Sequence, residues 1–185
     1  MPHIPYPREE QISPDCKSIL DEFHHNYGRP SHIFRVMSWN PTFLKVASDA
    51  WTSIVVKPSR LKRWVKEAIV VITATAQGAE YCIQGHSNAL RRQGLSQQIV
   101  NEVQNRAFSG YSEPERSIFL FAQTAASSPK SLTPGDYEKL RKLGFDDETI
   151  LEVLAVVWVN TAMNNVVEAV GMKRTQEQMK ELEIA

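Results

Sequence analysis

Three side chains in the first half of the chain have the types and spacing of a catalytic relay. Cys82 and His86 are four residues apart, and on a helix that separation stacks two side chains on one face, so a thiol and an imidazole are expected to meet. Gly78 breaks the preceding apolar stretch, which places Cys82 in the first turn of a new helix. Unbonded backbone N–H groups and the macrodipole favour a thiolate there, so a reactive sulfur is expected. Glu67 stands at the entrance to Ala68–Ala76, a run without any charged residue, as expected of a helix buried on nearly every side. Gly78 lies eleven residues after Glu67 and eight before His86. A helical hairpin turning there leaves the two at heights differing by only ~4.5 Å. Carboxylate, imidazole and thiol in that order are orienter, base and nucleophile. Taken singly, each has a plainer reading: a small buried hydrophobe for the cysteine, a capped or solvent-facing ring for the histidine, and for Glu67 a wet-surface pairing with Lys66 or Arg63.

The elements that must position these residues read as helices throughout. Almost every segment has a period near 3.6, and no β-hairpin signal, phosphate-binding loop, dinucleotide fingerprint or serine elbow is present, so the fold class is all-α. Residues 1–14 carry four prolines and predict an extended arm, either loose or laid across a neighbouring molecule. Ser13-Pro14-Asp15 starts a helix running to about Tyr27, ended by Gly28 and Pro30. A second helix spans about Pro41 to Val55, with Phe43, Leu44, Ala47, Ala50, Trp51 and Ile54 spaced as one buried stripe. The long apolar pattern from about Asp146 to Gly171 belongs in the core. Its Asn160, Asn164 and Asn165 either hydrogen-bond neighbouring helix ends or subunits, or form a polar wall of the site. Thr175 to Ala185 reads as a charged helical tail.

The chain also repeats itself. At an offset of fifty, Leu90–Val103 falls on Leu140–Val153 with five of fourteen residues identical, and the apolar run after Glu67 falls on Ile118–Ala126 without a gap. This predicts one domain over 15–185 containing two copies of a helical unit, about 60–107 and 110–172. Glu67, Cys82 and His86 fall opposite Ser117, Leu132 and Asp136. A packing requirement would act on both copies alike, so the divergence at these three positions favours function.

Composition narrows the alternatives. With 42% hydrophobic and 23% charged residues the chain is expected to fold rather than stay disordered. Basic and acidic residues balance at 21 each, which gives no reason to expect nucleic acid or an anionic membrane as partner. The first residues lack the basic and apolar segments of an export signal, and the longest fully apolar run, Val153–Val159, is far short of the ~18 residues of a bilayer span. A cytoplasmic protein is expected. Two cysteines, Cys16 and Cys82, make no disulfide framework, and no metal or cofactor motif appears.

The stretch from Glu67 to Gly94 resembles the core of the AhpD-like, or carboxymuconolactone decarboxylase, superfamily. The signature is a glutamate, a C-x-x-C about twelve residues on, and a histidine four residues after the second cysteine. Glu67, Cys82 and His86 match it, followed by S-N-A-L-R-R-Q-G at Ser87–Gly94, while Ala79 replaces the first cysteine. The likeness continues through I-P-Y-P at Ile4–Pro7, W-N-P at Trp39–Pro41 and S-I-F-L-F-A at Ser117–Ala122. It implies an AhpD-like helical bundle, a homo-oligomer (trimer or hexamer), and thiol-dependent reduction of hydroperoxides. Cys82 would attack the peroxide, with Glu67 and His86 as proton relay. Ala79 removes the local resolving sulfur, so reduction must come from an external thiol, or from Cys16 if the fold brings it near. Two other readings stay open. One is a decarboxylase-like proton-transfer enzyme in which Cys82 merely lines the pocket, and the other is a non-enzymatic oligomeric protein with a vestigial motif.

Overall fold

Ten consecutive residues of one helix, Val65 to Ala74, are buried, and the rest of the chain is packed around them. A computed structural model describes residues 2–27 and 31–178. The described residues contain no strand, and their α-helices include α1 (Pro14–Tyr27), α2 (His32–Met37), α3 (Pro41–Trp51), α4 (Arg63–Gln77), α5 (Glu80–Arg92), α6 (Gln97–Asn105), α7 (Glu113–Ser127), α8 (Pro134–Lys142) and α9 (Asp147–Val170). The all-α reading holds. The buried helix is α4, which packs against α5, α6, α7 and α9. It is rich in Val, Ile and Thr, residues of modest helix propensity, and it is held helical by burial of an apolar surface on all sides rather than by local preference. Its buried Thr73 hydroxyl donates to the Ile69 carbonyl (2.8 Å) instead of standing unpaired.

Gly78 ends α4 in the left-handed region (φ 70°), and the Ala79 N–H reaches back to the Ala74 carbonyl (2.9 Å). Only glycine takes that conformation cheaply, and it lets α5 begin within two residues and fold back along α4. The next helix boundaries repeat at the offset of fifty. Residues 63–77 of α4 fall on 113–127 of α7, the start of α6 falls on that of α9, and the end of α5 on that of α8. Gly94 and Gly144, fifty apart, both have positive φ (87° and 93°). The starts of α5 and α8 do not coincide. Glu80 opens α5, whereas its counterpart Lys130 lies in a short 3-10 turn and α8 begins only at Pro134.

The N-terminal arm differs from expectation: it lies across its own chain. The His3 N–H donates to the Val170 carbonyl (2.7 Å), the Pro5 carbonyl accepts from Trp39 Nε1 (2.8 Å), and the Pro7 carbonyl accepts from Arg35 (3.2 Å). Prolines cannot donate, so the arm docks mostly through its carbonyls. The helix read over Pro41–Val55 ends at Trp51 and continues as a π turn over Thr52–Val56. Leu44, Ala47 and Trp51 form its buried stripe, while Phe43 is exposed. The end of the first helix at Gly28 and Pro30, and the tail beyond Gln178, lie outside the described residues. Among the described residues α9 is long and apolar enough by length and composition to cross a membrane. Here it packs on α4 and α7, with Val153, Val156, Val159 and Met163 buried.

Lys66 is the least expected member of the core. It is 1% exposed, and its ammonium donates to the carbonyls of Ile54 (2.9 Å) and Lys57 (3.0 Å) at the π turn while pairing with Glu152 (3.1 Å). The charge thus satisfies carbonyls that the irregular helix end leaves over and ties α4 to α9. Lys66→Met, which fills the space but leaves those carbonyls without a donor and Glu152 without its cation, is expected to destabilise the fold by about 3 kcal/mol in urea denaturation.

Candidate active site

Glu67 occupies the second turn of α4 and is 1% exposed. One carboxylate oxygen accepts from His86 Nδ1 (2.8 Å). The other accepts from Arg63, through Nε at 3.0 Å and also through Nη2. An ionised carboxylate only accepts, so the His86 proton facing it sits on Nδ1 and Nε2 is left for other partners. Burial alone would raise the Glu67 pKa, but the His86 ring and the Arg63 guanidinium outweigh it and hold the carboxyl at about 2. The pairing of Glu67 with Arg63 does occur, four residues apart, but inside the protein and alongside His86 rather than at a wet surface. Lys66 points elsewhere, to the π turn.

The three residues singled out in the sequence meet at one cavity of about 90 Å³. Glu67, Cys82 and His86 line it, together with Phe23, Phe34, Trp51, Met163 and Val167. Trp51, at the last position of α3, lays its ring 5.1 Å from that of His86 at an angle of 44°. The imidazole is thereby held between a carboxylate at one edge and an aromatic ring beside it, a setting that fixes both its tautomer and its plane. The Gly78 turn brings α5 back along α4 so that residues nineteen apart in sequence are in contact.

Cys82 departs from expectation. It is the third residue of α5, as the helix-start reading required. Its own N–H is turned inward to the Ala79 carbonyl (3.0 Å), and its side chain is buried. Burial pushes the thiol up to about 12, Glu168 acts in the same direction and Arg174 acts against it. The helix N-terminus therefore does not yield a standing thiolate, because removing the sulfur from water costs more than the dipole returns. The expected meeting of thiol and imidazole is a shared cavity only: among the described residues no hydrogen bond joins Cys82 to His86. Cys16 is fully buried, with its thiol directed at the Ser38 carbonyl (3.8 Å), and it is not part of the cavity wall. The fold does not bring it forward as a resolving sulfur.

The asparagines of α9 divide between the two alternatives. Asn164 donates to Gln77 at the end of α4 (2.7 Å), and Asn165 is exposed. Asn160 is fully buried, donates to the Val70 carbonyl (3.0 Å) and lines the cavity. Sequence reasoning did not single out Trp51 or Arg174 as site residues. Trp51 has no signal apart from its place in an apolar stripe. Arg174 follows the helix-ending Gly171, and only the fold shows that this segment turns back over α5. Among the described residues no group of three or more His, Cys, Asp or Glu could hold a metal ion.

Residues 41–124, which include Glu67, Cys82 and His86, match the model of the carboxymuconolactone decarboxylase family. Among curated proteins, no sequence matches the chain. Solved structures share its fold. A peroxidase-related protein with an alkylhydroperoxidase AhpD core from Ralstonia eutropha JMP134 superposes with a TM-score of 0.88 at 21% identity, over 96% of this chain and 94% of the other. A peroxidase-related protein from Silicibacter sp. TM1040 gives 0.87 at 18% identity over 97% and 93%. The debrominase Bmp8, in a C82A form bound to 2,3,4-tribromopyrrole, gives 0.82 at 19% identity over 97% and 96%.

Two measurements test the electrostatics of this site. A carboxyl whose pKa is depressed on folding stabilises the protein above its unfolded value of 4.5, and that stability is lost as pH falls through the folded value of about 2. Glu67→Gln is therefore expected to flatten the fall in stability between those two pH values, as followed by denaturant melts. In a Cys16→Ala background, alkylation of Cys82 by iodoacetamide is expected to be slow at neutral pH. Its rate should keep rising toward pH 12 rather than levelling at the pH of an ordinary thiol.

Proposed function

We propose that the chain, whose residues 41–124 match the carboxymuconolactone decarboxylase family model, is a member of that AhpD-like superfamily and a thiol-dependent hydroperoxide reductase with Cys82 as nucleophile. The observation that carries this reading is the shared cavity of Cys82 with a histidine held by a buried, ionised glutamate. The thiol is un-ionised at neutral pH, so a base must take its proton as the substrate arrives. His86 Nε2, with Nδ1 committed to Glu67, is that base. The Cys82 sulfur attacks the terminal oxygen of the hydroperoxide, the O–O bond breaks, and the departing alkoxide takes the proton from His86. The products are an alcohol and a cysteine sulfenic acid.

Ala79 is the capping residue of α5, one turn before Cys82, and is fully buried. Its methyl group cannot capture the sulfenic acid. An external thiol then condenses with it, releasing water, and a second thiol displaces the resulting mixed disulfide and restores Cys82. The exposed Leu151 and Trp158 of α9 and Val46 of α3 support association with further copies of the chain.

One observation favours a second reading. A thiol kept protonated by burial also suits a cavity in which Glu67 and His86 move protons on the substrate and Cys82 is only part of the wall.

Peroxide treatment followed by a sulfenic-acid probe and mass spectrometry is expected to label Cys82. Glu67→Gln is expected to slow that labelling by about a hundredfold, as loss of an oriented base does. A Cys82 that peroxide leaves unmodified would sink the peroxidase reading, and a Cys82→Ser variant that keeps full activity toward a carbon acid would establish the second. Ala79→Cys is expected to raise steady-state peroxide reduction with a dithiol while leaving the first oxidation step nearly unchanged.

A further inference from the structure

The segment after α9 brings a second charged group to the cavity. Gly171 ends α9 in the left-handed region (φ 71°), and the chain turns back toward the start of α5. Arg174 lays its guanidinium 3.9 Å from the centre of the Tyr81 ring and donates through Nη2 to the Tyr81 carbonyl (3.1 Å). Further along, the Gln178 side chain meets His32 Nε2 at 3.2 Å, which holds the segment against α2. Arg174, His32 and Gln178 all line the cavity.

Arg174 is underused. Its Nε is buried without a hydrogen-bond partner, and among the described residues no carboxylate forms an ion pair with it. Glu67, the acid in the cavity wall, has both oxygens occupied by Arg63 and His86. Glu168, whose charge also reaches Cys82, is exposed and makes no ion pair with Arg174. The rest of the wall is dominated by apolar and aromatic side chains. A half-buried guanidinium without a counter-ion, beside an apolar cavity, favours an anion there, and its planar fork matches a carboxylate. Stacking on Tyr81 and the bond to its carbonyl fix the fork in place beside Cys82.

We propose that Arg174 is a specificity-determining residue that binds a carboxylate on the substrate, so that the cavity selects acidic molecules with an apolar or aromatic body. The proposal rests on the reading of this cavity as the substrate site. Its test does not depend on turnover. Calorimetric titration with 4-isopropylbenzoate and its neutral isostere 4-isopropylbenzamide is expected to show the wild-type protein binding the acid about tenfold more tightly. Arg174→Gln is expected to abolish that preference with amide affinity unchanged, and Arg174→Lys, which keeps the charge but not the fork, to retain part of it.

Equal affinities in the wild-type protein, or a preference that survives in Arg174→Gln, would overturn the proposal. Circular dichroism checks the fold of both variants. If Arg174→Gln unfolds, the two wild-type affinities and the Arg174→Lys ratio still decide. A Cys82 unreactive toward peroxide, together with an intact preference for the acid, would remove the peroxidase reading and leave this one in place.

Discussion

The structure depends on the buried carboxylate of Glu67. Glu67 is 1% exposed on a helix whose buried residues are mostly Val, Ile and Ala, where an unpaired charge would force protonation or unfolding. Its ionised form survives because Arg63 occupies one oxygen and His86 the other. That requirement constrains the fold. Arg63 must lie one turn earlier on α4, α5 must return close enough for His86 to reach across, and the turn between them must be short, which Gly78 provides. Removing either partner would leave a buried charge undersatisfied, so the pair constrains structure and proposed chemistry together.

The two halves of the chain show how such a site can be accommodated in a regular scaffold. The apolar helices α4 and α7 share their limits at an offset of fifty, and they pack directly on one another. The halves part at the start of the next helix. Cys82 lies in the first turn of α5, whereas its counterpart Leu132 follows a 3-10 turn introduced by Pro129, before α8 has begun. The first unit therefore carries an additional helical turn directed at the cavity, while the second spends the same residues on connection. Polar Ser117, opposite Glu67, is buried, but it carries no charge for the fold to compensate.

Much of this was legible in the sequence because it follows from local rules. Gly78 and Gly171 mark helix ends, Asp146 opens the last long helix, and the 3.6-residue period argues for helices throughout. The contact between Glu67 and His86 was readable from helix geometry and one turn. What depends on long-range placement was not. The proline arm could be recognised as extended, but its docking site is set by Trp39, Arg35 and the end of α9. Lys66, one residue before Glu67, looks from sequence like a candidate partner for it. Instead it serves the π turn, an irregularity that no sequence period announces. Arg174 is invisible as a site residue until the chain beyond α9 is seen to fold back.

The sharpest departure concerns the sulfur, and it changes the order of events that the cavity can support. A helix N-terminus offers a thiolate a few tenths to about 2 kcal/mol, whereas burying an anion away from water costs more than that unless an opposite charge meets it closely. Cys82 has its N–H turned inward and Arg174 only partly offsets its burial, so the proton stays on the sulfur. The charge that is fully prepared in this site belongs to Glu67. On the proposed reading the protein therefore holds a ready base and an unready nucleophile, and the thiol ionises only as a substrate enters. A sulfur kept as thiol between encounters is also a poor target for stray oxidants. That protection is of use in a chain whose turn before Cys82 carries Ala79 rather than a second sulfur to rescue it.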